Sequence, residues 1–253
     1  MYRYFYFPDR IKYDSPERTG LPFDTVAFNS SDGTHLSGWF IPAVGVAPHH
    51  AKGSVIHMHG NAQNMTAHWT YAEWLPHQGY NLFTFDYRGY GNSHGSPEPQ
   101  GMLEDAIAAL DHMRHRNDID TNQLFVFGQS LGGMLAIAAA ASSPQGVRAV
   151  LAEAPVHSYS AWAEDQMPEK ELALDDTHCA SSYIAKLAPI PLLLIHSLTD
   201  RVVPYSHSTQ LFSAASEPKH LETLTEGEHN DAMTERHGTR YQDLALTFFA
   251  KAG

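Results

Sequence analysis

The spacing of apolar positions changes character once along the chain. Residues 23–28 and 36–41 are short runs rich in β-forming side chains, joined by Asn29-Ser30-Ser31-Asp32-Gly33-Thr34. That arrangement predicts a hairpin. After a Pro/Gly/His loop at 45–53, short continuous apolar runs begin to alternate with segments of helical period. Strands are expected at 54–58, 80–85, 124–127, 147–152, 191–196 and 220–225. Helices are expected at 66–77 (ending before Gly79), 101–114, from Leu131 onward, 205–216 and 233–250, with an irregular segment at 155–187. An antiparallel start followed by βαβ alternation implies a mostly parallel sheet with helices on both faces. In such sheets the ligand crevice lies outside the carboxyl ends of the strands.

The most informative stretch is 123–140. Leu124 to Phe127 reads as a buried strand, and the alanine-rich run from Leu131 reads as a buried helix. Between them lies Gly128-Gln129-Ser130-Leu131-Gly132, a G-x-S-x-G sequence in a strand–turn–helix setting. There the serine occupies a sharp, strained turn that lifts its hydroxyl above the sheet. The two glycines serve where strand and helix approach closely, and the helix start directs N–H groups toward an anion formed beside Ser130.

Composition narrows the chemistry. A chain of 253 residues, 43% hydrophobic and 17% charged, fits one folded domain. A formal charge of −12 and the absence of a basic run argue against a nucleic-acid partner. The single cysteine, Cys179, excludes an internal disulfide. Seventeen histidines include the pairs His57/His59 and His112/His115, without an H-E-x-x-H or carboxylate companions at ligand spacing. No cofactor is expected, whether metal, nucleotide or flavin. No apolar run reaches the roughly 20 residues of a spanning helix. The aromatic opening, Met1 to Pro8, is expected to pack onto the body of the domain; its alternative is a membrane-proximal segment. The expected compartment is cytoplasmic, with membrane association only through that N-terminal segment.

A serine hydroxyl needs a base, and the base an orienting acid. Downstream candidates are Asp200, after the strand at 191–196, and His229, after the strand at 220–225. Upstream, His57 to Asn64 follows the strand at 54–58. With these segments in view, the sequence resembles the α/β-hydrolase superfamily, specifically its bacterial esterase/peptidase-like members related to the serine aminopeptidase group. The resemblance rests on His59-Gly60-Asn61-Ala62-Gln63-Asn64, Phe85 to Ser93, Gly128 to Gly133, Ile190 to His196 and Gly227 to His229. It implies an α/β-hydrolase fold: a mostly parallel eight-stranded sheet in one domain over 1–253, with a small cap insertion at about 155–187. It also implies Ser130 as nucleophile, Asp200 as acid and His229 as base, with the N–H groups of Asn61 and Leu131 as oxyanion hole. Where relatives often have H-G before the acid loop, this chain has His196-Ser197. Glu153 is a rival acid.

The expected substrate is a small neutral acyl ester; an aminopeptidase or amidase is the alternative, with a non-catalytic binder behind both. In the cap, Tyr159, Trp162 and Met167 are suited to line an acyl pocket. The acids Glu164, Asp165, Glu169, Glu171, Asp175 and Asp176 are either solvated or, if they face the mouth, set to repel anionic substrates.

Overall fold

The computed structural model describes residues 4–170 and 172–253, so Met1 to Arg3 of the aromatic opening and Glu171 of the cap lie outside the described residues. The strands are β1 (Phe7–Pro8), β2 (Asp24–Asn29), β3 (His35–Ile41), β4 (Ser54–Met58), β5 (Ala62–Gln63), β6 (Asn81–Asp86), β7 (Leu124–Gln129), β8 (Val147–Glu153), β9 (Leu192–Ser197) and β10 (Lys219–Leu224). The α-helices are α1 (Met65–His68), α2 (Pro99–Arg114), α3 (Leu131–Ser142), α4 (Tyr159–Gln166), α5 (Ala180–Tyr183), α6 (Ser206–Ala214) and α7 (Arg240–Ala252). Among the described residues, eight strands form one sheet in the order β10-β9-β8-β7-β4-β6-β3-β2. The β2/β3 and β3/β6 pairs are antiparallel; every other pair in that sheet is parallel.

The central strands show no polar alternation because each serves two cores. Ile56, Val126, Val150 and Leu194 belong to one buried cluster with Leu135, Met102 and Trp162. Their neighbours Val55, Phe125, Phe127, Leu151, Leu193 and Ile195 belong to the other, with Trp69 and Phe249. Alternate side chains point to opposite faces, so a strand covered on both sides loses its polar alternation.

Two expected helices are corrected. In place of a helix over 66–77, α1 gives way to 3₁₀ turns at Trp69–Tyr71 and Pro76–Gln78. Proline cannot continue a helix from within, and Trp69 is completely buried in the second core, so ring burial overrides local helical preference. The closing helix starts at Arg240 rather than 233: Gly238, at φ 57° and ψ −134°, separates it from a 3₁₀ turn at Glu235–His237. The cap segment, read as irregular, contains α4 and α5. No described helix is long and apolar enough to cross a membrane.

The N-terminal arm takes part in the fold. β1 pairs in parallel with β5, shortly after β4. Phe5 and Tyr6 are buried while Tyr4 and Phe7 are exposed, so the arm divides its rings between the body and solvent. Because β4, β6, β7, β8, β9 and β10 run parallel, the loops that follow them all leave from one edge of the sheet.

Candidate active site

Ser130 sits between the last residue of β7 and the first of α3 at φ 56°, ψ −119°. A non-glycine residue at positive φ is strained. The strain is held by contacts on both sides: the Ser130 N–H donates to the Glu153 carbonyl at 2.9 Å, and the Ser130 carbonyl accepts from Met134 at 3.2 Å. A Cβ on Gly128 would lie 2.2 Å from the Gly132 carbonyl oxygen, and one on Gly132 only 1.9 Å from that of Met58. Only glycine fits either position. Ser130 is 2% exposed, and its Oγ has no hydrogen-bond partner among the described residues.

His229 Nδ1 lies 2.7 Å from Asp200 Oδ2. A carboxylate only accepts, so Nδ1 carries a proton, and in the neutral ring Nε2 is the atom with the free lone pair. The other Asp200 oxygen accepts from the N–H groups of Val202 and Val203 at 2.8 and 3.0 Å. His196 donates from Nε2 to the Val203 carbonyl at 2.9 Å, with Asp200 Oδ2 3.3 Å away, and its Nδ1 receives the Ser208 hydroxyl at 2.7 Å. Burial alone would push the Asp200 carboxyl up, but the hydrogen bonds from His196, His229 and Val203 outweigh it and hold the carboxyl well below its usual range. The structure thus joins His229 to Asp200 and leaves the Ser130 hydroxyl unbonded. Glu153, the rival acid, is occupied elsewhere: its carboxylate accepts from Ala232 N–H at 2.8 Å and Gln129 Nε2 at 2.7 Å.

Leu131 opens α3, in the turn whose N–H groups lack intrahelical acceptors. Asn61 follows Gly60, whose hypothetical Cβ would stand 3.8 Å from the Ser130 Cβ and 3.4 Å from His68 Cε1. Asn61 is fixed from three directions. Its side chain donates to the Phe5 carbonyl at 3.2 Å, and its carbonyl accepts from Phe7 N–H at 2.9 Å and the Tyr90 hydroxyl at 2.8 Å. His57 and His68 lie close by. Burial pushes His57 down to about 4 and His68 to about 3, so both imidazoles are neutral at ordinary pH.

The cap aromatics are spent on packing. The Tyr159 hydroxyl is hydrogen-bonded to that of Tyr6. The Phe5 ring lies 5.4 Å from both the Tyr159 and Trp162 rings. Met167 is partly buried against the same cluster. Burial pushes the Cys179 thiol up, away from nucleophilic use. The cap acids are largely committed locally. Asp165 bonds His207 at 2.7 Å, Asp176 accepts from Ser160 N–H at 3.1 Å, and Asp175 holds Thr177, while Glu164 and Glu169 are exposed. Beside His229 a cavity of about 500 Å³ is lined by Thr199, Arg201, Val202, Gly227, Glu228 and Arg236. That lining carries both signs, Arg201 and Arg236 against Glu228, with Arg236 paired to Asp231 at 3.1 Å.

Among the described residues no group of three or more His, Cys, Asp or Glu side chains is gathered as metal ligands. Residues to which the sequence assigned no role are Tyr90, quoted only within the Phe85 to Ser93 motif, together with Tyr6, His68 and Gln129. Gln129 did carry a signal, a long polar side chain closing an otherwise apolar strand.

A family model described as "Serine aminopeptidase, S33" matches residues 49–174. The chain is 41% identical over 250 residues to YfhR of Escherichia coli (strain K12), across 98% of this chain and 87% of that one. It is 32% identical over 217 residues to the alpha/beta hydrolase domain-containing protein WAV2 of Arabidopsis thaliana, across 80% and 70%. Among solved structures, the Pyrococcus furiosus esterase Pf2001 matches with a TM-score of 0.77 at 19% identity, over 98% of this chain and 99% of that one. With its sheet order, its serine elbow and these relatives, the chain belongs to the α/β-hydrolase superfamily.

Proposed function

We propose that the protein hydrolyses carboxylic esters of small neutral acyl groups through an acyl-enzyme. Ser130 Oγ attacks the carbonyl carbon as its proton passes to His229 Nε2. The N–H groups of Asn61 and Leu131 receive the oxyanion. Collapse of the tetrahedral species expels the alcohol, which takes the proton back from His229, and water then releases the acid by the same route in reverse. The observation that carries this reading is the 2.7 Å bond between His229 Nδ1 and Asp200 Oδ2, which leaves Nε2 as the basic atom.

The match to a serine aminopeptidase model favours a second reading, peptide-bond cleavage at a free amino terminus. That activity needs a carboxylate for the substrate ammonium; the described cap acids are bonded locally or turned to solvent, and Glu228 beside His229 shares its cavity wall with Arg201 and Arg236. This weighs toward the ester. The test is fluorophosphonate labelling of the wild type and Ser130→Ala, run beside hydrolysis of p-nitrophenyl acetate and an aminoacyl-naphthylamide. Labelling and ester turnover that both vanish in Ser130→Ala support the proposal. Ester turnover that survives the substitution sinks it, and faster naphthylamide release moves the protein to the peptidases.

A further inference from the structure

Glu153 ends β8 with 2% of its surface exposed, between Gln129, which is completely buried, and the loop that carries His229. Its register partner across the parallel pair is Gln129. One carboxylate oxygen accepts the Ala232 N–H at 2.8 Å, three residues past His229. The other accepts Gln129 Nε2 at 2.7 Å, one residue before Ser130. The line continues under the strand ends. Gln129 Oε1 lies 3.2 Å from His57 Nε2, and His57 Nδ1 lies 3.3 Å from the Thr84 hydroxyl. The directions are fixed by chemistry. An amide N–H only donates, so Glu153 accepts twice; Gln129 then presents its carbonyl oxygen to His57, which donates from Nε2 and takes the Thr84 hydroxyl on Nδ1. The Glu153 carbonyl also accepts the Ser130 N–H at 2.9 Å.

We propose that Glu153 is a positioning residue: its carboxylate ties the His229 loop to the strand end that carries Ser130, and so sets the separation of base and nucleophile from below. The inference rests on the hydrolase reading of Ser130 and His229. A purely space-filling role is poorly served by this side chain. Burial pushes the Glu153 carboxyl up to about 7, against the opposing bonds from Gln129 and Ala232, so an apolar residue of similar volume would be cheaper to bury. What the carboxylate provides is two acceptors at a fixed spacing, one for each half of the site.

Three substitutions separate the roles. Glu153→Gln keeps both links if the line of hydrogen bonds reverses. The introduced amide then accepts from the Ala232 N–H and donates to Gln129 Oε1, Gln129 donates to His57 Nε2, and His57 donates from Nδ1 to Thr84. Glu153→Met keeps the volume and removes both links. Glu153→Asp, one methylene shorter, cannot reach both partners at once, and it stands in should the Met variant not fold. Each is assayed with p-nitrophenyl acetate well below its own Tm, and hydrogen exchange is followed over residues 226–234. The expected result is a kcat within about threefold of wild type for Gln, and at least about tenfold lower for Met and Asp at nearly unchanged KM. Amide protection near Ala232 should be lost in Met and kept in Gln. Wild-type kcat in Met or Asp, or unchanged protection in Met, overturns the proposal while leaving Ser130 chemistry intact. A wild type that neither labels with fluorophosphonate nor turns over ester removes the hydrolase reading, and the positioning role with it.

Discussion

Asp200 gives one carboxylate oxygen to His229 and the other to its own loop. Oδ2 receives the His229 Nδ1–H at 2.7 Å, and Oδ1 receives the N–H groups of Val202 and Val203. The carboxylate therefore cannot turn without breaking a bond at one side or the other, and the imidazole inherits that fixed orientation. A side chain bound this way orients the base and needs no proton of its own.

Replacing Asp200 by Asn tests the tautomer. An amide presenting its NH₂ to the ring favours the proton on Nε2, the atom that must be free. We expect kcat to fall by on the order of 10⁴-fold with the far-ultraviolet circular dichroism unchanged. A loss under tenfold would show that another group orients His229.

Acid stability follows from the same carboxylate. Its folded pKa is held below the ordinary value of 3.8, so the stability it contributes is present in full above about pH 4 and fades as pH falls further. The Tm advantage of wild type over Asp200→Asn should therefore be larger at pH 6 than at pH 3. An equal gap at both values contradicts the depressed carboxyl.

Glu153 has the opposite sign. Its pKa rises from 4.5 to about 7 in the folded protein, so ionisation costs stability progressively between those values and no further above them. Glu153→Gln, which cannot ionise, should gain in Tm relative to wild type as pH rises from 5 to 8. A difference that does not move with pH would mean the carboxyl is already ionised at pH 5.

Gly132→Ala places a methyl 1.9 Å from the Met58 carbonyl oxygen. Backbone cannot move aside as a flexible side chain can, so the cost should reach the upper part of the 1–3 kcal/mol typical of overpacking, or about 3 kcal/mol. Chemical denaturation reads it directly, and a variant within about 0.5 kcal/mol of wild type would mean that β4 and α3 separate easily.

Phe5→Ala removes a ring packed on Tyr159 and Trp162 and should cost about 3 kcal/mol. Ester turnover should fall as well, because losing the ring loosens the arm whose main-chain carbonyl at position 5 holds the Asn61 side chain. Phe7→Ala, at an exposed ring, should cost no more than about 0.5 kcal/mol. Equal effects from the two would dissolve the distinction between the arm's inner and outer faces.

What was legible in the sequence was what local chemistry dictates. Strands buried on two faces lose their polar alternation, which is why 124–127, an unbroken apolar run, stands out. Gly128 and Gly132 marked the elbow because a tight strand-to-helix turn tolerates little else. The segment 66–77 misled because its periodicity was helical, while Trp69 and Pro76 obeyed the core and the proline ring. The Tyr6–Tyr159 bond spans 153 positions, and nothing local foretells it. Tyr159 and Trp162 read as apolar and buried, which they are, but composition does not say against what. The Glu153–Gln129 link depends on the register of β7 against β8, a property of the assembled sheet.

The first described residues of the arm and Gly253 lie at opposite ends of the parallel strands. Phe5 to Asp9 run beside the loop after β4, bonded to Asn61 and Gln63. Gly253 ends next to Gln123, at the amino end of β7, with the Ala252 carbonyl accepting from Arg148 at 2.8 Å. Whatever is spliced ahead of the arm is mechanically in series with Asn61: tension there peels β1 from β5 before it reaches the main sheet. A purification handle or surface linker attached at Gly253 pulls on the far pole and leaves the edge that carries Ser130 and His229 slack.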